Sequence, residues 1–118
     1  MQITTNILSG KTQTHLNDSC LLHADVFGPF SVLQSAAENE GFDLQVASGF
    51  RSYERQLLIW NEKATGKRPL LDNFGQPLNI ENLTDIQKVF SILRWSALPG
   101  CSRHHWGTDI DIWDAGSV

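Results

Sequence analysis

Three stretches of the chain repeat apolar residues at the three- and four-residue spacing of an amphipathic helix. We predict helices from Asp25 to a stop at Gly41, over 53–64 and over 85–97. Ser52 and Thr84 immediately precede the second and third helices and are suitable N-cap residues. The residues expected to face the core are Val26, Phe27, Phe30, Val32, Leu33, Ala36, Ala37, Leu57, Leu58, Trp60, Ile86, Val89, Phe90, Leu93 and Trp95.

Two shorter stretches alternate polar and apolar residues with the period of a β-strand, over 42–47 and 108–113. In the second, Asp109 and Asp111 would share one face, and the two intervening isoleucines would form the core face. Residues 66–82 contain two glycines and two prolines and predict a long loop. Helices followed by a few short strands predict the α+β fold class.

The composition is that of a globular protein and predicts one domain over residues 1–118, with 41% hydrophobic and 19% charged residues. A net charge of −4 and a pI near 5.4 argue against nucleic acid as a partner, since proteins that bind phosphate backbones usually carry a basic face. The single tight basic pair, Lys67-Arg68, lies in the predicted loop and is interpreted as part of a solvated turn.

The N-terminus has neither a basic segment nor an apolar one, and no stretch reaches the length of a membrane span. The sequence as written therefore predicts a cytoplasmic protein without a membrane span. Cys20 and Cys101 are expected to be free thiols, with Cys101 a small packing residue and not a zinc ligand. His15 and His23 are isolated histidines, for which a surface or hydrogen-bonded role is favoured over metal binding.

The candidate chemistry is concentrated after the Pro-Gly turn at 99–100. Two carboxylates on one strand face repel each other unless a cation, a proton or a hydrogen-bond donor lies between them. His104 and His105 stand just upstream of that strand and supply imidazole groups. A divalent metal ion would satisfy this arrangement.

Two motifs support a more specific interpretation. The first motif, at residues 48–56, fits Ser-Gly-aromatic-Arg-Ser-x-x-x-Gln. The second motif, at residues 102–111, reads Ser-Arg-His-His-Trp-Gly-Thr-Asp-Ile-Asp and fits Ser-x-His-x-x-Gly-x-x-x-Asp. In this order, over about residues 24–114, the sequence closely resembles the D-alanyl-D-alanine carboxypeptidases of the vancomycin-resistance (VanY) type. That metallopeptidase group also includes lysostaphin and the hedgehog signalling domain. The resemblance implies about three helices packed on a small antiparallel sheet.

The resemblance further implies a zinc ion held by His104, by Asp111 and by a second histidine further downstream. In the family a glutamate base lies a few residues before that histidine, in a Glu-x-x-His segment. Neither appears before Val118, so we expect the chain to be the N-terminal portion of a peptidase domain, incomplete at its C-terminus. Zinc would then bind weakly or not at all, and the chain alone would have little hydrolytic activity.

Other positions carry over one at a time. Arg51 matches the family arginine that contacts the substrate or stabilises the developing oxyanion, and Gln56 and Ser102 match positions that line the substrate pocket. His105 is expected to support the site or to pack against its tryptophan neighbour. Asp109 is expected to orient the metal-binding histidine, with a third metal-bound oxygen as the alternative.

The resemblance predicts hydrolysis of peptidoglycan peptides that end in D-Ala-D-Ala, through a metal-activated water. A peptidoglycan endopeptidase is the alternative within the same class. A relative that binds peptidoglycan peptides or metal without hydrolysis is the alternative from another class. The family implies the periplasm or cell wall as the location, and self-association is predicted through the surface that a missing C-terminal part would leave.

Overall fold

The structure is a computed structural model that describes residues 2–17 and 21–117. Within these residues the chain forms three longer helices, one four-residue helix and two strands. Three single 3₁₀ turns occur at Ile80–Asn82, Arg103–Trp106 and Ala115–Ser117. In chain order the main elements are α1 (Thr5–Leu8), α2 (Ala24–Asn39), β1 (Leu44–Ser48), α3 (Tyr53–Ala64), α4 (Asp85–Trp95) and β2 (Asp111–Asp114). The predicted α+β class is confirmed.

The N-caps explain why the helices begin where they do. The Ser52 hydroxyl accepts a hydrogen bond from the backbone N–H of Arg55, which caps α3. Thr84 caps α4 in a reciprocal arrangement with Gln87, in which each side chain accepts from the other residue's N–H. Both caps are as predicted. Helix α2 begins one residue earlier than predicted because the Nδ1 atom of His23 accepts from the N–H two residues on.

The two strands pair antiparallel and form a two-stranded sheet in the described part of the chain. Their register aligns Val46 with Ile112 and Ser48 with Asp111, so one extra residue, Ala47, bulges out of β1. The second strand begins three residues later than the predicted 108–113, because the residues before it form a 3₁₀ turn and a bend.

The core is small, and its buried apolar residues are Ile7, Leu22, Phe30, Ile59, Leu70 and Ile92. The prediction that the whole apolar stripe of each helix faces inward is wrong. Most of its members, including both leucines of α3 and all five of the predicted core residues of α4, are more than a third exposed: Phe27, Val32, Leu33, Leu57, Leu58, Ile86, Val89, Phe90, Leu93 and Trp95. The predicted core face of β2 is also open, since Ile112 is 46% exposed.

The reason is the shape of the described molecule, which measures 49 × 38 × 18 Å. Its radius of gyration is 16.9 Å, whereas a compact chain of this length has one of about 13 to 14 Å. A slab this thin covers each helix on one side at most. In the described residues, no helix is both long and apolar enough to cross a bilayer.

Candidate metal centre

The sheet register brings the two sequence motifs together. Residues directly opposite each other in an antiparallel pair project from the same face. Ser48 is therefore on the same face as Asp111, although without the bulge at Ala47 it would share a face with Val46 instead. The bulge thus turns the end of β1, where the Ser-Gly-Phe-Arg segment starts, toward the second motif.

Two glycines of the motifs allow a close approach of backbone segments. At Gly49, a Cβ atom would lie 2.4 Å from the carbonyl oxygen of Leu21. This oxygen accepts a hydrogen bond from the backbone N–H of Phe50, which follows the glycine. Gly107 ends the 3₁₀ turn with φ 71°, and a Cβ there would lie 2.7 Å from the backbone nitrogen of His23. Both positions therefore require glycine.

His104 is oriented by a backbone hydrogen bond. Its Nδ1 atom lies 3.0 Å from the carbonyl oxygen of Gly49, and because a carbonyl only accepts, Nδ1 carries the proton. Its Nε2 atom then points toward Asp111, 3.5 Å from Oδ2. Two ligands bound tetrahedrally at 2.0–2.2 Å from one zinc ion are about 3.4 Å apart. The pair is thus spaced as two ligands of one metal would be.

Ser102 lies under this histidine. It is 4% exposed, and its hydroxyl accepts from the N–H of His104, so that it caps the turn which carries the imidazole. This buried contact supports the histidine from below and was not part of the sequence prediction for Ser102, which concerned the substrate pocket.

Arg51 is held by two side chains. Its guanidinium donates to the Gln56 Oε1 atom at 3.0 Å and to the Ser48 hydroxyl at 3.2 Å. Gln56 is 1% exposed and donates in turn to the carbonyl of Ala97, so both ends of its amide are used inside the protein. Burial lowers the pKa of Arg51, and the opposing charge of Asp111 raises it. The arginine charge therefore lies near the candidate ligand pair, in an orientation that Gln56 helps to hold.

His105 joins the two motifs through the interior. The ring is fully buried, its Nδ1 atom donates to the carbonyl of Arg51, and its Nε2 atom accepts from the N–H of Gly100. Burial lowers the pKa of His105, and the positive charge of Arg51 lowers it further, whereas the hydrogen bond to the carbonyl raises it. Since Nε2 is already an acceptor, the neutral ring is the form that fits both bonds.

His15 is a residue of this region that sequence reasoning did not place. It is fully buried, and its Nε2 atom donates to the carbonyl of His105 at 2.9 Å. The prediction of a hydrogen-bonded role for this histidine is confirmed, but its burial beneath the second motif is not visible in the spacing, because 90 residues separate the two. His23 is hydrogen-bonded as well, through its capping role in α2.

For two residues of this segment the structure differs from the prediction. Asp109 is exposed in the bend before β2, so strand alternation does not place it beside Asp111, and Gly49 makes the orienting contact to His104 that was predicted for Asp109. Cys101 is an exposed free thiol, so its prediction as a packing residue is wrong. Cys20 lies outside the described residues.

Over residues 2–17 and 21–117, no group of three or more histidine, cysteine, aspartate or glutamate side chains is arranged to hold a metal ion. His104 and Asp111 are therefore a pair of candidate ligands without a third in the described part of the chain.

Comparison with known proteins identifies the family. A family model described as VanY, D-alanyl-D-alanine carboxypeptidase, matches residues 19–117. The chain belongs to this family. The resemblance seen in the two motifs is thereby confirmed, and the matched range covers both of them.

The VanY likeness extends to individual proteins. An uncharacterized protein of Haemophilus influenzae is 42% identical over 105 residues, which cover 83% of this chain and 72% of that protein. Two solved structures are each 28% identical over 80% of this chain. One is a mutant of the vancomycin-resistance D,D-pentapeptidase VanY in complex with Zn(II), with a TM-score of 0.58, and the other is VanYB in complex with D-alanine-D-alanine, with a TM-score of 0.60. This chain spans 47% and 46% of those two chains.

Proposed function

We propose that this chain carries part of the centre of a zinc-dependent D,D-carboxypeptidase, with His104 and Asp111 as two of the metal ligands. The observation that carries the proposal is the 3.5 Å separation of the Nε2 and Oδ2 atoms, with the Nδ1 proton of the histidine committed to the carbonyl of Gly49. A hydrogen bond from the ring nitrogen that does not bind the metal fixes the tautomer that a metal-binding histidine needs.

The donor set fits zinc. An imidazole nitrogen and a carboxylate oxygen are among its usual ligands, and catalytic sites combine three protein ligands with one open position. When bound, zinc supplies a Lewis acid that activates water and polarises a carbonyl group. The described residues bring two ligands together, so we expect this chain by itself to bind zinc weakly and to have little hydrolytic activity.

Arg51 is proposed to act on the substrate. A guanidinium is a fixed, charged hydrogen-bond donor, suited to the oxygen on which negative charge develops during peptide hydrolysis. Gln56 and Ser48 accept two of its hydrogen bonds and hold it in place. We therefore assign Gln56 to positioning the arginine, and Ser102 to positioning His104, with any further contact of these two to the substrate remaining a prediction.

The proposed substrate is a peptidoglycan peptide that ends in D-Ala-D-Ala. Support comes from the family and from the solved relative in complex with D-alanine-D-alanine. Such a substrate would place the protein in the periplasm or cell wall. Cleavage of an internal bond, as in an endopeptidase, is the alternative that differs only in whether a free C-terminal carboxylate is required.

Binding without hydrolysis is a second candidate function. The observation that favours it is the absence of a three-ligand group within the described residues. The two candidates differ in whether D-alanine is released, and they make the same prediction for zinc and peptide binding.

The test is a zinc titration by calorimetry on the 118-residue chain and on His104→Ala and Asp111→Asn, with Asp109→Asn as the matched control. We expect the first two variants to lose at least tenfold in zinc affinity, because each removes one of two ligands, and Asp109→Asn to match the wild type. Equal zinc affinity in all four proteins would overturn the ligand assignment. Release of D-alanine from a D-Ala-D-Ala peptide, measured with added zinc, then separates hydrolysis from binding.

A further inference from the structure

An open cavity of about 710 Å³ adjoins the candidate metal centre and shares Ser48, Gly49 and Arg51 with it. Two more arginines, Arg55 on α3 and Arg68 on the loop after it, line the same cavity. The other described residues of the lining are uncharged, and none is acidic. A cavity of this size takes a drug-sized ligand, which is larger than a single amino acid.

The Arg68 guanidinium has partners for only some of its N–H groups within the described residues. Its Nη2 atom forms an ion pair with Glu62 at 3.2 Å, but its Nε atom is buried without a hydrogen-bond partner among the described residues. A buried donor without an acceptor is costly, and an unexplained one indicates a bound water or ion. The prediction that Lys67-Arg68 is simply a solvated turn is therefore wrong for Arg68, whose side chain is half-buried at the cavity wall.

The arginines also lie close enough to repel one another. Burial has the largest effect on the pKa of Arg51 and lowers it, and the charge of Asp111 raises it. The charges of Arg55 and Arg68 lower the pKa of Arg51 further. The pKa of Lys63, which lies on α3 as Arg55 does, is lowered first by burial and then by the charges of Arg68 and Arg51. The cavity thus concentrates positive charge in a chain whose net charge is −4. A bound anion would relieve this repulsion.

We infer that Arg55 and Arg68 form an anion subsite that binds a carboxylate of the peptide substrate upstream of its D-Ala-D-Ala end. The inference rests on the proposed function and adds the substrate class: an acidic peptide is preferred to a neutral one. The upstream position follows from the size of the cavity, which extends from Arg51 to Arg68 and is far larger than one terminal alanine requires. Arg51 keeps the role proposed above, at the peptide bond that is hydrolysed.

The test compares three peptides on the wild-type chain by calorimetry in zinc-containing buffer. They are acetyl-Glu-Gly-D-Ala-D-Ala, acetyl-Gln-Gly-D-Ala-D-Ala, and the first peptide with a C-terminal carboxamide. We expect the Glu peptide to bind about 3- to 10-fold more tightly than the Gln peptide at low salt, with a smaller ratio at 0.5 M salt because exposed charges are screened.

The matched variants are Arg55→Gln/Arg68→Gln and, as a control on the exposed surface of α4, Arg94→Gln. The double variant is expected to bind the Glu peptide and the Gln peptide equally. It should keep the wild-type affinity for the Gln peptide, which shows that it folds. Arg94→Gln is expected to keep the wild-type ratio. In a ¹H–¹⁵N spectrum, the Arg68 Nε–H signal should shift on addition of the Glu peptide and not of the Gln peptide.

Each contrary outcome has its own meaning. Equal binding of the Glu and Gln peptides to the wild type overturns the subsite and leaves the proposed function standing. If amidation of the C-terminus is enough to remove the affinity that depends on Arg55 and Arg68, the subsite binds the terminal carboxylate. That result overturns the upstream position. Absence of binding by all three peptides overturns the proposed function and this inference with it.

Discussion

The Nδ1 atom of His105 lies 2.6 Å from the carbonyl oxygen of Arg51, and this hydrogen bond ties the first motif to the second. The Nε2 atom of the same ring accepts from the N–H of Gly100, at the turn that precedes the second motif. Both nitrogens are thus used, and the ring is fully buried. His105 therefore acts as an internal cross-link beneath Arg51 and His104.

The variant His105→Ala is expected to lower the free energy of unfolding by about 2–4 kcal/mol, because it leaves a cavity and removes the partners of a buried carbonyl and a buried N–H. Urea denaturation followed by tryptophan fluorescence measures the loss. The adjacent exposed residue supplies the control, and Arg103→Ala should change stability by less than about 0.5 kcal/mol. Equal stabilities of the two variants would show that the cross-link does not exist.

Gly107→Ala and Gly75→Ala form a matched pair, since the two glycines have similar positive φ angles of 71° and 78°. A Cβ at Gly107 would meet the backbone of His23 and the side chain of Leu16 at 2.7 Å, whereas one at Gly75 would meet nothing within 4 Å. We expect Gly75→Ala to cost about 1–2 kcal/mol from backbone strain alone. Gly107→Ala should cost clearly more when the two variants are compared by thermal denaturation. A smaller loss for Gly107→Ala would contradict the close packing.

Asp114 should make stability depend on pH. Its carboxylate accepts from the N–H groups of Asp43 and Gly116 and from the Ser117 hydroxyl, and these bonds lower the pKa of Asp114, with the Asp43 bond contributing most. A carboxyl whose folded pKa is depressed stabilises the fold above its unfolded pKa of about 3.9, and this stabilisation is lost as pH falls through the folded value.

The variant Asp114→Asn should therefore be less stable than the wild type at pH 7 and differ less from it at pH 2.5. Urea denaturation at the two pH values measures both differences, and Asp109→Asn is the control because Asp109 is exposed. A stability gap that stays constant between the two pH values would contradict the assignment.

Under the proposed function, Arg51→Lys is expected to weaken the binding of a D-Ala-D-Ala peptide by about tenfold or more. Lysine lacks the planar fork that donates to both Gln56 and Ser48, and would therefore not hold its charge in the orientation proposed for the substrate contact. Calorimetry on the wild type and on Arg94→Lys gives the reference values. An unchanged affinity in Arg51→Lys would remove this arginine from the substrate site.

Self-association is predicted through the outer face of α4, where Ile86 is 70% and Phe90 is 66% exposed. The accessible surface of the chain is 7877 Å², whereas a compact monomer of this mass has about 6,400 Å². Sedimentation velocity at rising concentration should show dimers or larger species for the wild type and fewer for Phe90→Glu. Phe74→Glu, on an exposed loop position, should behave as the wild type does. A monomer at all concentrations would contradict the prediction.

Local signals were sufficient for much of the fold. The apolar spacing placed three helices, and Ser52 and Thr84 marked two of their starts, because capping depends on groups three residues apart. The spacing did not show which apolar residues would be buried. Periodicity identifies the apolar face of a helix, but burial depends on what packs against that face, and most of the α4 face is open in the described molecule.

The same division holds for the centre. His104, Asp111 and Arg51 were identified as candidates because they occupy short motifs that resemble those of the family. The contacts that orient them were not, since Gly49, His15 and His105 act across 55, 90 and 54 residues. Only tertiary structure brings such groups together.

The sequence by itself thus indicated the family, the three longer helices and the candidate ligands, because the helical spacing and the two motifs are local features of the chain. The tertiary structure decided that Ser48 faces Asp111, through one bulged residue in β1. It also decided that His104 is turned by a backbone carbonyl and not by Asp109, and that Arg55 and Arg68 meet in one cavity. Register and cavity shape depend on the packing of distant segments, and no local pattern in the chain encodes them.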